Sequence, residues 1–317
     1  MIQITPVALS AFAPITAAGR VMAWIDALIL RRTCLSGVLF QAEWWHAVID
    51  VKNGHFCVEG NSAVPTNAAN SEAWEPPLKF EEHLKALLPP RARIAYLHHR
   101  NLRKGEPELH LVSILANKQR VSIDVGANKG VYSYALMAHS KSVHAFEPNP
   151  KLFRVLSSWA SGQVVLHPEA LSNVSAPADL LVPRSANGFS NQGASLSATK
   201  VSGDHRKVVV RAVRFDELGI RNVGFMKIDV EGFEREVLEG AADTLRRDRP
   251  NLLIEMEEAH THVPISDMVE SVNAYGYSCF ALVRGTLTPF SRLDPEKHHR
   301  RPACREDYVF NFIFLPS

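Results

Sequence analysis

From Arg120 onward the chain alternates short β-favouring apolar runs with stretches whose apolar residues recur every three or four positions. Val121–Val125, Val143–Phe146, Val164–Leu166, Phe225–Asp229, Leu252–Met256, Cys279–Val283 and Tyr308–Leu315 read as strands. Val131, Tyr134, Ala135 and Ala138 carry helical spacing behind the first strand, and a helix begins near Pro150, where proline suits the first turn. Phe233, Val237, Leu238, Ala241 and Leu245 mark one helix face, and a further helix covers about Ile265–Tyr275. This alternation predicts an α/β fold: a seven-stranded, mostly parallel sheet with helices on both faces, which binds its ligand beyond the carboxyl ends of the strands. Residues 172–213 interrupt it. Ala178–Pro183 and Lys207–Val213 read there as strands around a Ser/Asn/Gly-rich stretch, Ser185–Ser202, a surface insertion placed to cover a substrate.

The first part of the chain has a different texture. Residues 1–60 mix apolar and aromatic stretches without a clean period, and residues 61–77 are rich in Asn, Ala, Ser and Pro, as linkers are. Phe80–Leu88 fits a short helix stopped by Pro89-Pro90, and Glu108–Leu115 fits a second. The expected division is a poorly defined N-terminal segment of unassigned role over 1–104 and a folded domain over 105–317. Apolar runs at 7–18 and 21–30 lack the preceding positive charge of a secretory leader, and Arg20 and Asp26 interrupt them as a membrane span. An amphipathic helix or a loosely ordered extension is expected there, in a cytoplasmic protein. A net charge of +2 over 317 residues implies no polyanionic partner such as nucleic acid. Cys34, Cys57, Cys279 and Cys304 are scattered, without metal-ligand spacing, and read as reduced thiols.

The chemistry begins at Asp124-Val-Gly-Ala-Asn-Lys-Gly130, directly after the first strand. Gly126 and Gly130 let the backbone turn tightly and approach a ligand, and the helix start presents free N–H groups to an anion. Glu147 ends the next strand, where a carboxylate accepts the hydroxyls of a ribose. Asn128 and Val131 stand where a dinucleotide fingerprint needs glycine, and no Lys-Ser/Thr pair follows the last glycine as a P-loop requires. An adenosyl ligand without phosphates, bearing an amino-acid tail, suits this turn, with Asp124, Gly126, Asn128, Gly130 and Glu147 as candidate contacts.

Ile123-Asp-Val-Gly-Ala-Asn-Lys-Gly-Val-Tyr-Ser133, Ala145-Phe-Glu-Pro-Asn-Pro150, Glu169-Ala-Leu-Ser-Asn173, Gly193-Ala-Ser-Leu196 and Lys227-Ile-Asp-Val-Glu-Gly232 resemble, in order and spacing, the FkbM-type methyltransferases. The resemblance covers about residues 105–317, and the segment from Lys227 to Gly232 is its most specific part. It implies the Rossmann-like methyltransferase fold, S-adenosylmethionine as donor, and a hydroxyl acceptor on a sugar, glycan or secondary metabolite. Lys227, Asp229 and Glu231 alternate, so continued extension would turn all three to one face, where charges must be paired or look into a cleft. One reading is a salt bridge of Lys227 with Glu231. The other places Asp229 beside the methyl donor, as cofactor contact and catalytic residue, with Glu231 orienting cofactor or acceptor.

Further on, Glu255, Glu257 and Glu258 precede His260 and His262. His260 is the candidate general base, since an imidazole titrates near neutral pH; a solvated loop histidine is the alternative. Asp229, Glu255 and Glu257 are compatible with magnesium, but a divalent cation is not expected. Asn191, Gly193 and Ser195 in the insertion are possible contacts to cofactor or acceptor. Lys297-His-His-Arg-Arg301 reads either as a solvated charged face or as a dock for an anionic acceptor. A non-catalytic adenosyl-binding module and a nicotinamide dehydrogenase are the competing classes, the latter disfavoured by the missing glycines. A nucleic-acid methyltransferase lacks its Asn/Asp-Pro-Pro-Tyr segment here.

Overall fold

The computed structural model describes residues 89–185, 188–189, 193–201 and 203–317, all within one compact unit. The expectations for the linker, for the helix Phe80–Leu88 and for Asn191 lie outside the described residues. Strands β1 (Val121–Val125), β2 (Ser142–Phe146) and β3 (Val164–His167) come first. The insertion follows as β4 (Ala170–Leu171), β5 (Ala176–Ser185), β6 (Gly188–Phe189) and β7 (His205–Val213). The chain then adds β8 (Val223–Ile228), β9 (Asn251–Glu255), β10 (Tyr277–Val283), β11 (Thr286–Pro289) and β12 (Asn311–Pro316).

The large sheet has the order β11-β10-β12-β9-β8-β1-β2-β3, and the insertion forms its own sheet, β4-β7-β5-β6. Pairs β1/β2, β1/β8, β2/β3 and β8/β9 are parallel, whereas β12 runs antiparallel to both β9 and β10. All the expected strands are present. The eighth, β11, is an addition: Arg284 (φ 48°) and Gly285 (φ 76°) turn β10 back on itself as a two-residue hairpin. Helices flank the sheet: α1 (Pro90–Lys104), α2 (Val112–Leu115), α3 (Val131–Leu136), α4 (Pro150–Trp159), α5 (Glu234–Gly240), α6 (Ala242–Asp248), α7 (Glu258–Thr261) and α8 (Ile265–Asn273). None of the described helices is long and apolar enough to cross a membrane.

Period-two alternation sorts the sheet's side chains into two cores. Met226, Ile228, Leu252, Ile254, Phe312 and Phe314 meet the helix residues Val237, Leu245, Ile265 and Val269 on one face. Phe225, Leu253 and Ile313 meet Ile94, Leu136 and Leu156 on the other. β8 is buried along its whole length, as a central strand covered on both faces must be. The helix α1 had no counterpart in the apolar pattern, because Pro89-Pro90 reads as a stop. Pro90 instead starts this helix, where its missing N–H has no partner to lose, and Ile94 carries it into the second core. The expected helix over Glu108–Leu115 begins as a 3-10 turn at Pro107–Leu111 before α2.

Phe312 is 1% exposed and sets its ring edge-on to Phe290 at 6.0 Å. Phe312→Ala is expected to cost about 3–5 kcal/mol, read as a lower urea midpoint with an unchanged slope.

Candidate active site

The carboxyl ends of β1, β2, β8 and β9 converge on a cleft of ≈ 380 Å³. The glycine turn forms one wall. Gly126 (φ 77°) and Ala127 both donate their N–H to Phe146 O at the end of β2, at 3.0 and 2.9 Å. A side chain at Gly126 would collide with the backbone of Asp229, and one at Gly130 (φ 85°) with Trp159 and Leu156. Both glycines are therefore required by close approach as well as by backbone sign. Asn128 is also left-handed (φ 54°), which brings its N–H to Glu147 Oε2 at 2.6 Å. Glu147 accepts a second N–H, from Asn149, at 2.9 Å through Oε1. Burial pushes this carboxyl up to about 7, against the two N–H bonds that favour its charge.

Gly126, Asn128, Glu147, Asp229 and Glu231 all line the cleft. Asp124 and Gly130 do not. Asp124 is 2% exposed and accepts the Ser133 hydroxyl at 2.5 Å, so it braces the turn from behind. Burial raises its carboxyl to about 6.

The alternating charges at the end of β8 separate. β8 ends at Ile228, and Glu231 (φ 60°) and Gly232 (φ 93°) are left-handed, so extension does not continue to Glu231. Lys227, 1% exposed, lies 3.5 Å from Asp229 Oδ2 and 3.5 Å from Asn311 Oδ1, and 5.3 Å above the ring of Tyr132. Glu231 pairs instead with Lys200, a residue of the insertion. His260 Nδ1 lies 3.6 Å from the same Glu231 oxygen, outside the cleft wall. Burial first, and Lys200 second, lower the pKa of His260.

Ser195 fastens the insertion to this corner. It is 1% exposed, pairs its backbone with Leu181, and donates its hydroxyl to Glu231 O at 2.8 Å. Ala194, Ser195 and Leu196 thereby line the cleft.

Asp229, Glu231 and Glu255 bring carboxylate oxygens within 4.8 Å of one another. Glu257, the expected third oxygen donor, accepts the Tyr308 hydroxyl at 2.6 Å instead. Burial and then Asp229 push the Glu255 carboxyl upward. The basic run is consumed internally: Arg300 clasps Glu258 at 2.7 and 2.9 Å, Arg301 reaches Glu296 at 3.2 Å, and His299 is buried against Val309 O at 2.7 Å. Lys200 and Glu106 were not among the expected site residues. Glu106 lines the cleft and accepts the Tyr132 hydroxyl at 2.8 Å. Neither residue stands in a local pattern that would have marked it.

A mostly parallel sheet whose last strand is reversed and inserted, with a glycine turn and an acid at adjoining strand ends, is the Rossmann-like methyltransferase architecture. Residues 124–279 match the family model of the methyltransferase FkbM domain. The chain is 34% identical over 154 residues to the hexuronic acid methyltransferase AglP of Haloferax volcanii, covering 46% of this chain and 60% of that protein. It is 26% identical over 196 residues to the 31-O-demethyl-FK506 methyltransferase FkbM of Streptomyces tacrolimicus, covering 51% of this chain and 74% of that one. A crystal structure of a methyltransferase FkbM from Methylobacillus flagellatus aligns over 74% of this chain and 57% of its own, with 14% identity and a TM-score of 0.41.

Because Glu147 titrates near 7 when folded, above the ordinary carboxylate range, its contribution to stability is present at low pH and lost as pH rises through about 7. Glu147→Gln is therefore expected to flatten the fall in unfolding free energy between about pH 5 and about pH 8, measured by urea titration.

Proposed function

We propose that this domain transfers a methyl group from S-adenosylmethionine to a hydroxyl of a sugar, glycan or other small natural product. The observation that carries this reading is one cleft in which the Gly126–Asn128 turn, Glu147 and Asp229 meet. The donor set suits an adenosyl ligand without phosphates: the described cleft wall holds no lysine, arginine or histidine to take a pyrophosphate. Gly126 keeps the wall open for close approach, and Glu147, fixed by two N–H bonds, retains lone pairs for ribose hydroxyls. S-adenosylmethionine, when bound, supplies an electrophilic methyl group.

The chain's own task is then alignment and proton removal, because an in-line displacement depends on the angle and distance of approach. Asp229 is held by Lys227 at the cleft floor and Glu231 by Lys200 at its side. His260, kept neutral by burial and oriented by Glu231, is the base for an acceptor hydroxyl that enters on the Glu231 side, beyond the wall that holds the donor. The two lysines already balance Asp229 and Glu231, and this supports a reaction without a bound divalent cation. The haloarchaeal relative is named for a hexuronic acid, which supports a carbohydrate acceptor here. With the basic run spent on Glu258 and Glu296, recognition of an acidic acceptor falls to residues nearer the cleft.

Calorimetry is expected to detect S-adenosylmethionine and not NAD, and absence of the former would overturn the proposal. Once an acceptor is in hand, Asp229→Asn should lower turnover at saturating donor by about 10²-fold or more, and a chelator should leave turnover unchanged.

A further inference from the structure

The cleft wall carries six carboxyl groups, from Glu106, Glu147, Glu169, Asp229, Glu231 and Glu255, and no basic side chain among the described residues. Two ammonium groups approach from outside the wall. Lys227 lies against Asp229, and Lys200 against Glu231. Burial opposes ionisation of Glu147 and Glu255, and the other four carboxyl groups of the wall outnumber those two lysines. Between the acids the wall is apolar, with Phe146, Leu152, Leu171 and Phe233. A cleft of one charge sign with low-dielectric walls concentrates its field on whatever occupies it.

S-adenosylmethionine and the product left after transfer, S-adenosylhomocysteine, are the same molecule except for one methyl group and one unit of positive charge at sulfur. Their ribose, base and amino-acid tail make the same demands on the glycine turn and Glu147. Any large difference in their affinity therefore reports the charge of the cleft around that sulfur. Resting on the reading of this cleft as the donor site, we infer that its excess of carboxylates selects the charged donor over the neutral product. The consequence is a domain that releases product readily and is weakly inhibited by it.

The selection depends on a balance between opposite charges, so it can be moved in both directions. Asp229→Asn removes a carboxyl group from the wall. Lys200→Met removes an ammonium group that now offsets Glu231. A merely structural role for these residues would weaken both ligands together and leave their ratio unchanged.

The test is calorimetry of each ligand with the full chain near pH 7.5, in about 0.05 M salt and again in about 0.5 M salt. The donor is expected to bind about tenfold or more tighter than S-adenosylhomocysteine at low salt, with the ratio shrinking at high salt. Asp229→Asn should narrow the ratio, and Lys200→Met should widen it. Equal or tighter binding of S-adenosylhomocysteine, or a ratio narrowed by Lys200→Met, would overturn the inference while leaving the donor site itself intact. Failure of both ligands to bind would overturn the donor-site reading and this inference with it. If a variant does not fold, the wild-type ratio and its salt dependence still decide.

Discussion

A lysine shut inside a parallel sheet must find compensating charge or lose its proton, and Lys227 organises its surroundings around that requirement. Burial opposes its charge, but Asp229, Glu106, Glu255 and Asp124 outweigh burial and hold it protonated. Its neighbours come from separate parts of the chain: Asp229 after β8, Asn311 at the start of β12, and Tyr132 on α3. Tyr132 and Asn311 in turn both donate to Glu106, which precedes β1. One buried ammonium thus gathers the acids of the cleft floor and fixes where they stand. Without it, the carboxylates would repel one another at the distances observed.

The side of the cleft is organised by Glu231 in a different way. Its left-handed backbone turns the chain away from β8, and the Ser195 hydroxyl on its carbonyl secures that turn. Its carboxylate faces Lys200 from the insertion and His260 from α7. The insertion is therefore part of the site's electrostatics as well as part of its wall. The small mixed sheet inserted between β3 and β8, with its loops, supplies both apolar residues of the cleft and the cation beside it.

Much of this was legible in the residues alone. The strands of the large sheet announce themselves by apolar runs, and the glycine turn by its place between a strand and a helix. Glu147 is readable because the end of the second strand is a fixed distance from that turn. Helix α1 was not legible, since Pro89-Pro90 is both a stop for one helix and a start for another, and its Arg/His-rich face hides Ile94 and Leu97. The facing of Glu231 is not legible in the sequence, because alternation assumes an extended backbone and a left-handed glutamate breaks it. Asp124 reads as a ligand contact in the sequence, but Ser133, nine residues on, occupies its carboxylate. Lys200 reaches Glu231 across a change of sheet, a relation that no local pattern encodes.

The reversed strand β12 has a consequence for how this domain comes into being. β10 touches the rest of the large sheet only through β12, and β11 only through β10. Without β12 the β10–β11 hairpin has no partner in the sheet, and β9 presents an open edge. Both wait for a segment some twenty residues farther along, and the sheet closes by insertion instead of by growth at its margin. Until that closure Asn311 is absent, and the ammonium at the heart of the sheet has only part of its company. Completion of the cleft floor thus depends on the strand that joins the two parts of the sheet.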